Sequence, residues 1–342
     1  MFQRLIKNDL KENKVSMLVI GLFLLLTLTL SFAATRLTVS LTSSIERFVE
    51  TAKSPHLLQM HSGSVDQERL QNFVQQHPEI ASWQLTDFVN VEGSAIRINE
   101  KNSLQDSSQD NGFSSQNQNF DFLLDQNNRP AQPQPGQVYI PLYYYNSGKI
   151  KIGDQIRVGK LQLTVKGFIR DAQMNAGLVS SKRFLISQTD LQTLKKEAFT
   201  SNENLIAFRV HKLSQISAIE QAYKNAELES NGPPMITYPT IKMINGFNDA
   251  LVILVMGLLV MAIIGITFLC MRFALLTKIQ EELQQIAVMK VMGLPQSFIS
   301  RVYLTKYYFC LALATIAGWG LSFLLSAPFQ KQMALSMGQS PT

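Results

Sequence analysis

LVILVMGLLVMAIIGITFLCM, residues 251–271, is 21 residues long and carries no charged side chain. Wound as a helix it would span roughly 32 Å, about the thickness of bilayer hydrocarbon. A helix in a soluble core rarely stays uncharged for so long, so the stretch reads as membrane-spanning. Two further runs have the same character: VSMLVIGLFLLLTLTLSFAAT at 15–35 and YYFCLALATIAGWGLSFLLSAPF at 307–329. The 46% apolar content of this 342-residue chain is thus concentrated in three uncharged blocks. The chain reads as an α-helical membrane protein with three transmembrane helices and a large region outside the bilayer.

The first run has a rival reading as a cleaved signal peptide, with Arg4, Lys7, Lys11 and Lys14 before it and Ala33-Ala34 at its end. Signal-peptide apolar cores run about 7–15 residues, and this one is longer. Residues 1–14 also intersperse Phe2, Leu5, Ile6 and Leu10 with charged positions, the pattern of an amphipathic helix on the inner membrane surface. An uncleaved anchor is the favoured reading. Lys and Arg set orientation. Basic residues precede the first run, and Arg272, Lys278, Lys290, Arg301 and Lys306 lie between the second and third. Both segments are therefore expected in the cytoplasm, with 36–250 and the tail 330–342 outside. The expected division is 1–14 amphipathic, 15–35, 251–271 and 307–329 in the membrane, 36–250 extracytoplasmic, and 272–306 a cytoplasmic coupling segment. The net charge of +6 then concerns topology and anionic lipid, not nucleic acid. Both cysteines, Cys270 and Cys310, fall inside predicted membrane helices, so no disulfide framework is expected outside.

The 36–250 region has its own periodicities. Leu41, Ile45, Phe48 and Ala52 continue the first helix outward, and Ile241, Ile244 and Phe247 lead into the second, so both membrane helices read as extending into a stalk. HLLQMH (56–61), VDQERLQNFVQQH (65–77) and WQLTDFVNV (83–91) read strand, helix, strand. LIAFRV (205–210), QISAIEQAYKNA (215–226) and MITYPTI (235–241) repeat that order. Between them, 13 of the 18 residues in 102–119 are Ser, Asn or Gln. Such a stretch buries too little apolar area to offset its ordering entropy and is expected as a disordered loop, continued by RPAQPQPG (129–136) as a spacer. VYIPLYYY (138–145), KIKIGDQIRV (149–158) and LQLTVKGFI (161–169) then read as strands. The extracytoplasmic domain is therefore α+β, an α+β lobe interrupted by a β-rich lobe.

Catalytic signals are lacking. His56 and His61 stand five apart, a poor ligand spacing, and read as ordinary, partly exposed histidines. Asp121, Asp125, Asp154 and Asp171 are scattered and read as surface carboxylates. Tyr143–Tyr145 reads as strand packing rather than a recognition surface. There is no G-x-S-x-G, H-E-x-x-H or G-x-x-x-x-G-K-[ST] sequence, so neither catalytic residues nor a metal nor a cofactor is expected, and any ATP hydrolysis belongs to another chain.

One helix outside the apolar runs is bounded by its own sequence. In EELQQIAVMKVMGLPQ (281–296), Leu283, Ile286, Ala287 and Val291 share a face and Leu294 follows. Glu281 and Glu282 sit in the first turn, where the helix's positive end favours acids. Gly293 suits a left-handed cap and Pro295 stops continuation. Lys290 lies near the apolar stripe, which suits a protein groove with an acid in it rather than bare lipid. A plain interfacial linker helix is the alternative.

The run Ile286, Ala287, Val288, Met289, Lys290, Val291, Met292, Gly293 resembles the cytoplasmic turn of FtsX-like, MacB-type ABC permeases, where an acid, Ile, a small residue, apolar positions, a basic residue and Gly precede the third membrane helix. Gln284 and Gln285 depart from it, standing where the family often has a basic–acidic pair. IKIGDQIRV resembles a turn of that family's extracytoplasmic domain, and the order of helices and domain is similar over the whole chain. The resemblance implies a permease subunit that transmits ATP-driven motion from a separate cytoplasmic ABC ATPase to the extracytoplasmic domain. Cargo would be a peptide, antibiotic, lipid or lipoprotein, exported across the cytoplasmic membrane. It implies that Glu281, Glu282, Leu283, Ile286, Ala287, Met289, Lys290, Val291, Gly293 and Leu294 form the ATPase-docking helix. It also implies a fourth membrane helix, so the chain reads as a truncated or first-half module completed by a second permease copy or module, as a homo- or heterodimer. In the third run Cys310, Ala314, Gly318, Ser322 and Ser326 recur every four residues, a stripe that admits close helix packing, including at a dimer interface. The alternative function is a membrane-anchored sensor or binding protein, or a regulator of a cell-wall hydrolase.

Overall fold

The structure is a computed structural model that describes residues 14–281, 283, 287, 291 and 296–338. Two compact units divide the chain: Met1–Leu41 with Asn248–Gln332, and Thr42–Phe247 with Met333–Thr342.

The first unit is built from three long helices, α1 (Lys14–Thr51), α6 (Tyr238–Glu281) and α7 (Gln296–Met337). Each contains a stretch long and apolar enough to cross a membrane, within Leu18–Thr51, Tyr238–Phe273 and Tyr307–Met337. Little of them is buried within the chain. On α6, Leu254, Leu258, Met261 and Phe268 are all more than half exposed, as side chains that face lipid or another helix would be. Between α1 and α7 the packing is closer. Ala314, Gly318, Ser322 and Ser326 of α7 are buried, while Cys310 is half-buried. A methyl group on Gly318 would come within 3.1 Å of Leu28 Cβ and of the Thr29 amide nitrogen. The stripe therefore meets α1 of the same chain at Gly318, where only glycine lets the backbones approach this closely. Nearby, the Arg36 guanidinium lies 3.7 Å from the Phe323 ring centroid.

The second unit is organised by one eleven-stranded mixed sheet. Strands β1 (Leu57–Ser62) and β2 (Ile80–Val91) flank α2 (Gln67–Gln76), and β10 (Thr200–Val210) and β11 (Ile236–Thr237) flank α5 (Ile216–Asn225). Their order across the sheet is β11-β1-β10-β2. Each β-α-β unit thus admits a strand of the other between its own two, and neighbours run antiparallel (Leu57 faces Phe208, Phe208 faces Trp83). Alternation along β10 sends Ile206, Phe208 and Val210 against Leu70 and Phe73 of α2 and Ile219 and Tyr223 of α5. The opposite face carries Leu205 and Ala207 against Phe88, Phe120 and Met174. Strand β11 is only two residues long, because Pro239 suits the first turn of a helix and α6 starts at Tyr238.

The β-rich lobe comprises β3 (Ile96–Ile98), β4 (Asn102–Ser103), β5 (Asp110–Ser114), β6 (Gln137–Pro141), β7 (Gln155–Val158), β8 (Leu161–Ile169) and β9 (Ser181–Ile186), with short helices α3 (Leu142–Asn146) and α4 (Gln188–Leu194). Two expectations are corrected here. The strand expected over 138–145 ends at Pro141, which caps α3, and Tyr144 is buried there while Tyr145 is exposed. The strand expected over 149–158 starts only at Gln155, after a turn in which Gly153 has φ +95° and Asp154 accepts the Lys151 amide at 2.8 Å.

The largest correction concerns 102–119, expected to be disordered. This segment forms β4 and β5, and β5 joins the two lobes, antiparallel to β2 (Val89 opposite Phe113) and parallel to β9 (Phe113 opposite Phe184). Composition misleads because the order comes from elsewhere. Backbone ladders on both sides satisfy the strand's amides. Phe113 stacks on Phe184 with centroids 4.9 Å apart. The Asn111 side chain is buried and accepts a 2.5 Å hydrogen bond from Tyr144 Oη. Gly112 lies where any Cβ would run into the Phe88 ring.

Candidate functional site at the helix ends

Helix α1 leaves its last turn through Lys53, whose φ of +45° turns the chain, into Ser54-Pro55-His56. The Ala52 and Lys53 carbonyls accept the amides of Phe122 and Asp121, at 2.7 and 2.9 Å. The chain just past α1 meets the start of α6 at His56: its carbonyl accepts the Tyr238 amide at 2.9 Å, and its ring lies edge-on to the Tyr238 ring. Tyr238 is the first residue of α6. Expected to be partly exposed, His56 is buried, and its Nδ1 accepts the Val210 amide at 3.0 Å. Burial, with the nearby Arg209 charge, lowers its pKa to about 4, so the ring is neutral and acts as an acceptor. Arg209 in turn donates to the Ser54 carbonyl at 2.6 Å. A few residues into α6, Asn245 Nδ2 donates to the Ala172 carbonyl.

Behind these joints lies a buried ionic cluster. The Asp121 and Asp171 carboxylates, expected at the surface, are almost wholly buried around Arg183, which is 1% exposed. Arg183 holds Asp171 with two hydrogen bonds, Nε to Oδ2 at 2.7 Å and a terminal nitrogen to Oδ1 at 3.0 Å, and reaches Asp121 at 3.1 Å. Asp171 Oδ1 also accepts the amides of Gln173 and Met174, and the Gln173 side chain donates to Asp121. Burial opposes the Arg183 charge, but the two carboxylates more than offset it and hold its pKa above the ordinary arginine value. Burial drives Asp121 the other way, above the usual carboxylate range, against the pull of Arg183. Next to it, buried Lys182 donates to the carbonyls of Met174, Ala176 and Val179, closing the loop after Asp171; its pKa is lowered by burial to about 8.

The charge cluster ties segments 121–122 and 170–176 together, and residues just past the end of α1 and in α6 are linked to these segments by direct hydrogen bonds. Among the described residues, no three His, Cys, Asp or Glu side chains group as a metal site would need. An open polar cleft of about 510 Å³ lies away from the joints, lined by Asn90, Glu92, Asn111 and Phe199. Sequence reasoning missed the cluster. The available signal was Lys182-Arg183 immediately before Phe-Leu-Ile, charged residues inside a strand-like run that must find partners if that strand is central.

Of the expected docking helix, Glu282, Ile286, Met289, Lys290, Gly293 and Leu294 lie outside the described residues, as does the amphipathic segment 1–13. Glu281 ends α6, Leu283 and Val291 are helical and exposed, and Ala287 is likewise helical and exposed.

No curated protein matches the sequence. The fold is similar to that of the periplasmic region of MacB from Actinobacillus actinomycetemcomitans, with 10% identity, a TM-score of 0.31, and coverage of 57% of this chain and 94% of that one. It is also similar to the extracellular domain of the noncanonic ABC-type transporter YknZ from Gram-positive bacteria, with 12% identity, a TM-score of 0.29, and coverage of 53% and 98%. In sequence, residues 257–342 match the family described as FtsX-like permease C-terminal. That match takes in most of the apolar stretch of α6, the 281–296 segment and all of α7, so over this part the chain is similar to the FtsX-like permeases.

Proposed function

We propose that this chain is the membrane subunit of an ABC transporter, carrying ATP-driven motion from a separate cytoplasmic ATPase to the outer domain. The observation that carries this reading is the FtsX-like match over residues 257–342. In this reading the ATPase docks on 281–294, through Leu283, Ile286, Ala287 and Val291, with Glu281, Glu282, Met289, Lys290, Gly293 and Leu294 completing the helix. Its displacement passes along α6 and α1, both unbroken from the apolar stretch into the outer unit. The joints at His56, Lys53 and Asn245 then move the outer domain as a body, because the charge cluster keeps its base from deforming. The N-terminus and 272–306 lie in the cytoplasm, and 36–250 lies outside. The exposed apolar residues of α6 suit a second permease copy or module in the bilayer. Cargo is a peptide, lipid, antibiotic or lipoprotein.

The test is co-purification from the native host. The full chain should bring down an ATP-binding subunit. Ile286→Asp, which places a charge on the apolar stripe, and Gly293→Leu, which removes the cap, should each reduce that recovery at least about tenfold, the effect of losing roughly 1.4 kcal/mol of binding. Recovery unchanged by both substitutions removes 281–294 as the docking site, and the absence of any ATPase favours a free-standing binding protein.

A further inference from the structure

α1 and α6 are joined to the outer domain by the chain itself, but α7 is not, yet its last turn is held there too. Residues Met333–Thr342 belong to the same compact unit as the outer domain. The last carbonyls of a helix have no partners within it. Here Leu335 O accepts from Arg170 Nε at 2.7 Å, and Ser336 O accepts from Asn175 Nδ2 at 3.0 Å. Ala334 O accepts the Gly338 amide at 2.9 Å, and Gly338, at φ +92°, makes the left-handed stop. A side chain at Gly338 would collide with the Asn128 amide. Met333 and Met337 are buried, and Leu335 packs on the core of the β-rich lobe.

Arg170 is 4% exposed and donates to neutral oxygens: Leu335 O, Asp125 O at 2.8 Å, Asn128 Oδ1 at 2.7 Å and Gln126 O at 3.4 Å. No carboxylate oxygen accepts from this buried guanidinium; the Asp125 charge supports it from nearby, and the carbonyl end of a helix adds further negative potential. Its fork matches diverging carbonyls as a lysine ammonium cannot.

We propose that Arg170 and Asn175, with the 125–128 loop, form a binding site for the carboxyl-terminal turn of α7. The segments that receive α1 and α6, 121–122 and 170–175, are thereby the common seat of all three helices. The third attachment is non-covalent, polar contacts together with the packing of Met333, Leu335 and Met337, so it can release and re-form while the other two persist. As a step in transport this rests on the function proposed above; as a binding site it does not. Arg170 acts as a positioning residue: it sets where the end of α7 lies against the domain.

Hydrogen–deuterium exchange of the full chain in lipid nanodiscs tests this. In Arg170→Met, amides of 330–338 should exchange at least about tenfold faster, because loss of the cap frays the last turn. Peptides from β1, β2 and β10 should keep their rates, and Arg170→Lys should fall between. Asn175→Leu, which removes one bond, should accelerate the same peptide less, and it decides the question if Arg170→Met does not fold. Unchanged exchange at 330–338 in both variants overturns the proposal. So does equal acceleration of the sheet, which would make Arg170 a residue that merely holds the fold. Each variant should still co-purify the ATPase; loss of the ATPase with the exchange pattern as expected counts against the docking reading and not against this site.

Discussion

Arg183→Met should lower the unfolding temperature of the outer domain by roughly 10 °C, a destabilisation of about 3–5 kcal/mol. The methionine fills similar space but leaves Asp121 and Asp171 facing each other with almost no access to water. One carboxylate can take up a proton, yet Asp171 still loses two charge-assisted bonds, at 2.7 and 3.0 Å. The cost comes from what is left unpaired, so adding Asp121→Asn and Asp171→Asn to Arg183→Met should recover a large part of it. Thermal unfolding of the full chain in detergent, read by intrinsic fluorescence, measures both. A melting temperature within about 2 °C of the parent for the single variant would mean the cluster is not what stiffens the base of the domain.

Acidification should loosen the joint at His56. Its pKa in the fold is about 4, against 6.5 for the free side chain. Between these values the unfolded chain binds the proton and the folded chain does not. The stabilisation is therefore complete above about pH 6.5 and is lost as pH falls through about 4, amounting to about 3 kcal/mol for this one residue. The physical event is loss of the Nδ1 acceptor for the Val210 amide and repulsion from Arg209. His56→Asn keeps a neutral oxygen near the Nδ1 position and cannot be charged. Between pH 6.5 and 4 its melting temperature should fall less than the parent's; an identical fall in both would assign the acid sensitivity to other groups.

The sequence was legible where a pattern repeats over many residues. Three uncharged blocks mark the helices because each long apolar run has one economical solution in lipid. The two β-α-β units were legible from period alone, as with Leu70 and Phe73 on α2 and Ile216, Ile219 and Tyr223 on α5. What failed was anything decided by partners far away in sequence. Nothing local in 102–119 reveals that β5 will find β2 on one side and β9 on the other. Asp121 and Asp171 look like surface acids until Arg183 is brought between them. Arg170 and Leu335 are 165 residues apart, and no periodicity joins them. Proline also outweighed propensity twice, ending β6 at Pro141 and starting α6 around Pro239.

The central claim is that the outer domain and the 281–296 segment lie on opposite sides of the membrane, joined by α6. Single cysteines test it directly, on a background where Cys270→Ser and Cys310→Ser leave no native thiol. Lys160→Cys marks an exposed turn of the outer domain, and Gln284→Cys marks the 281–296 segment. A membrane-impermeant maleimide applied to intact cells should label position 160 at once and position 284 only after permeabilisation. Labelling of both positions in intact cells, or of position 284 alone, would contradict the account.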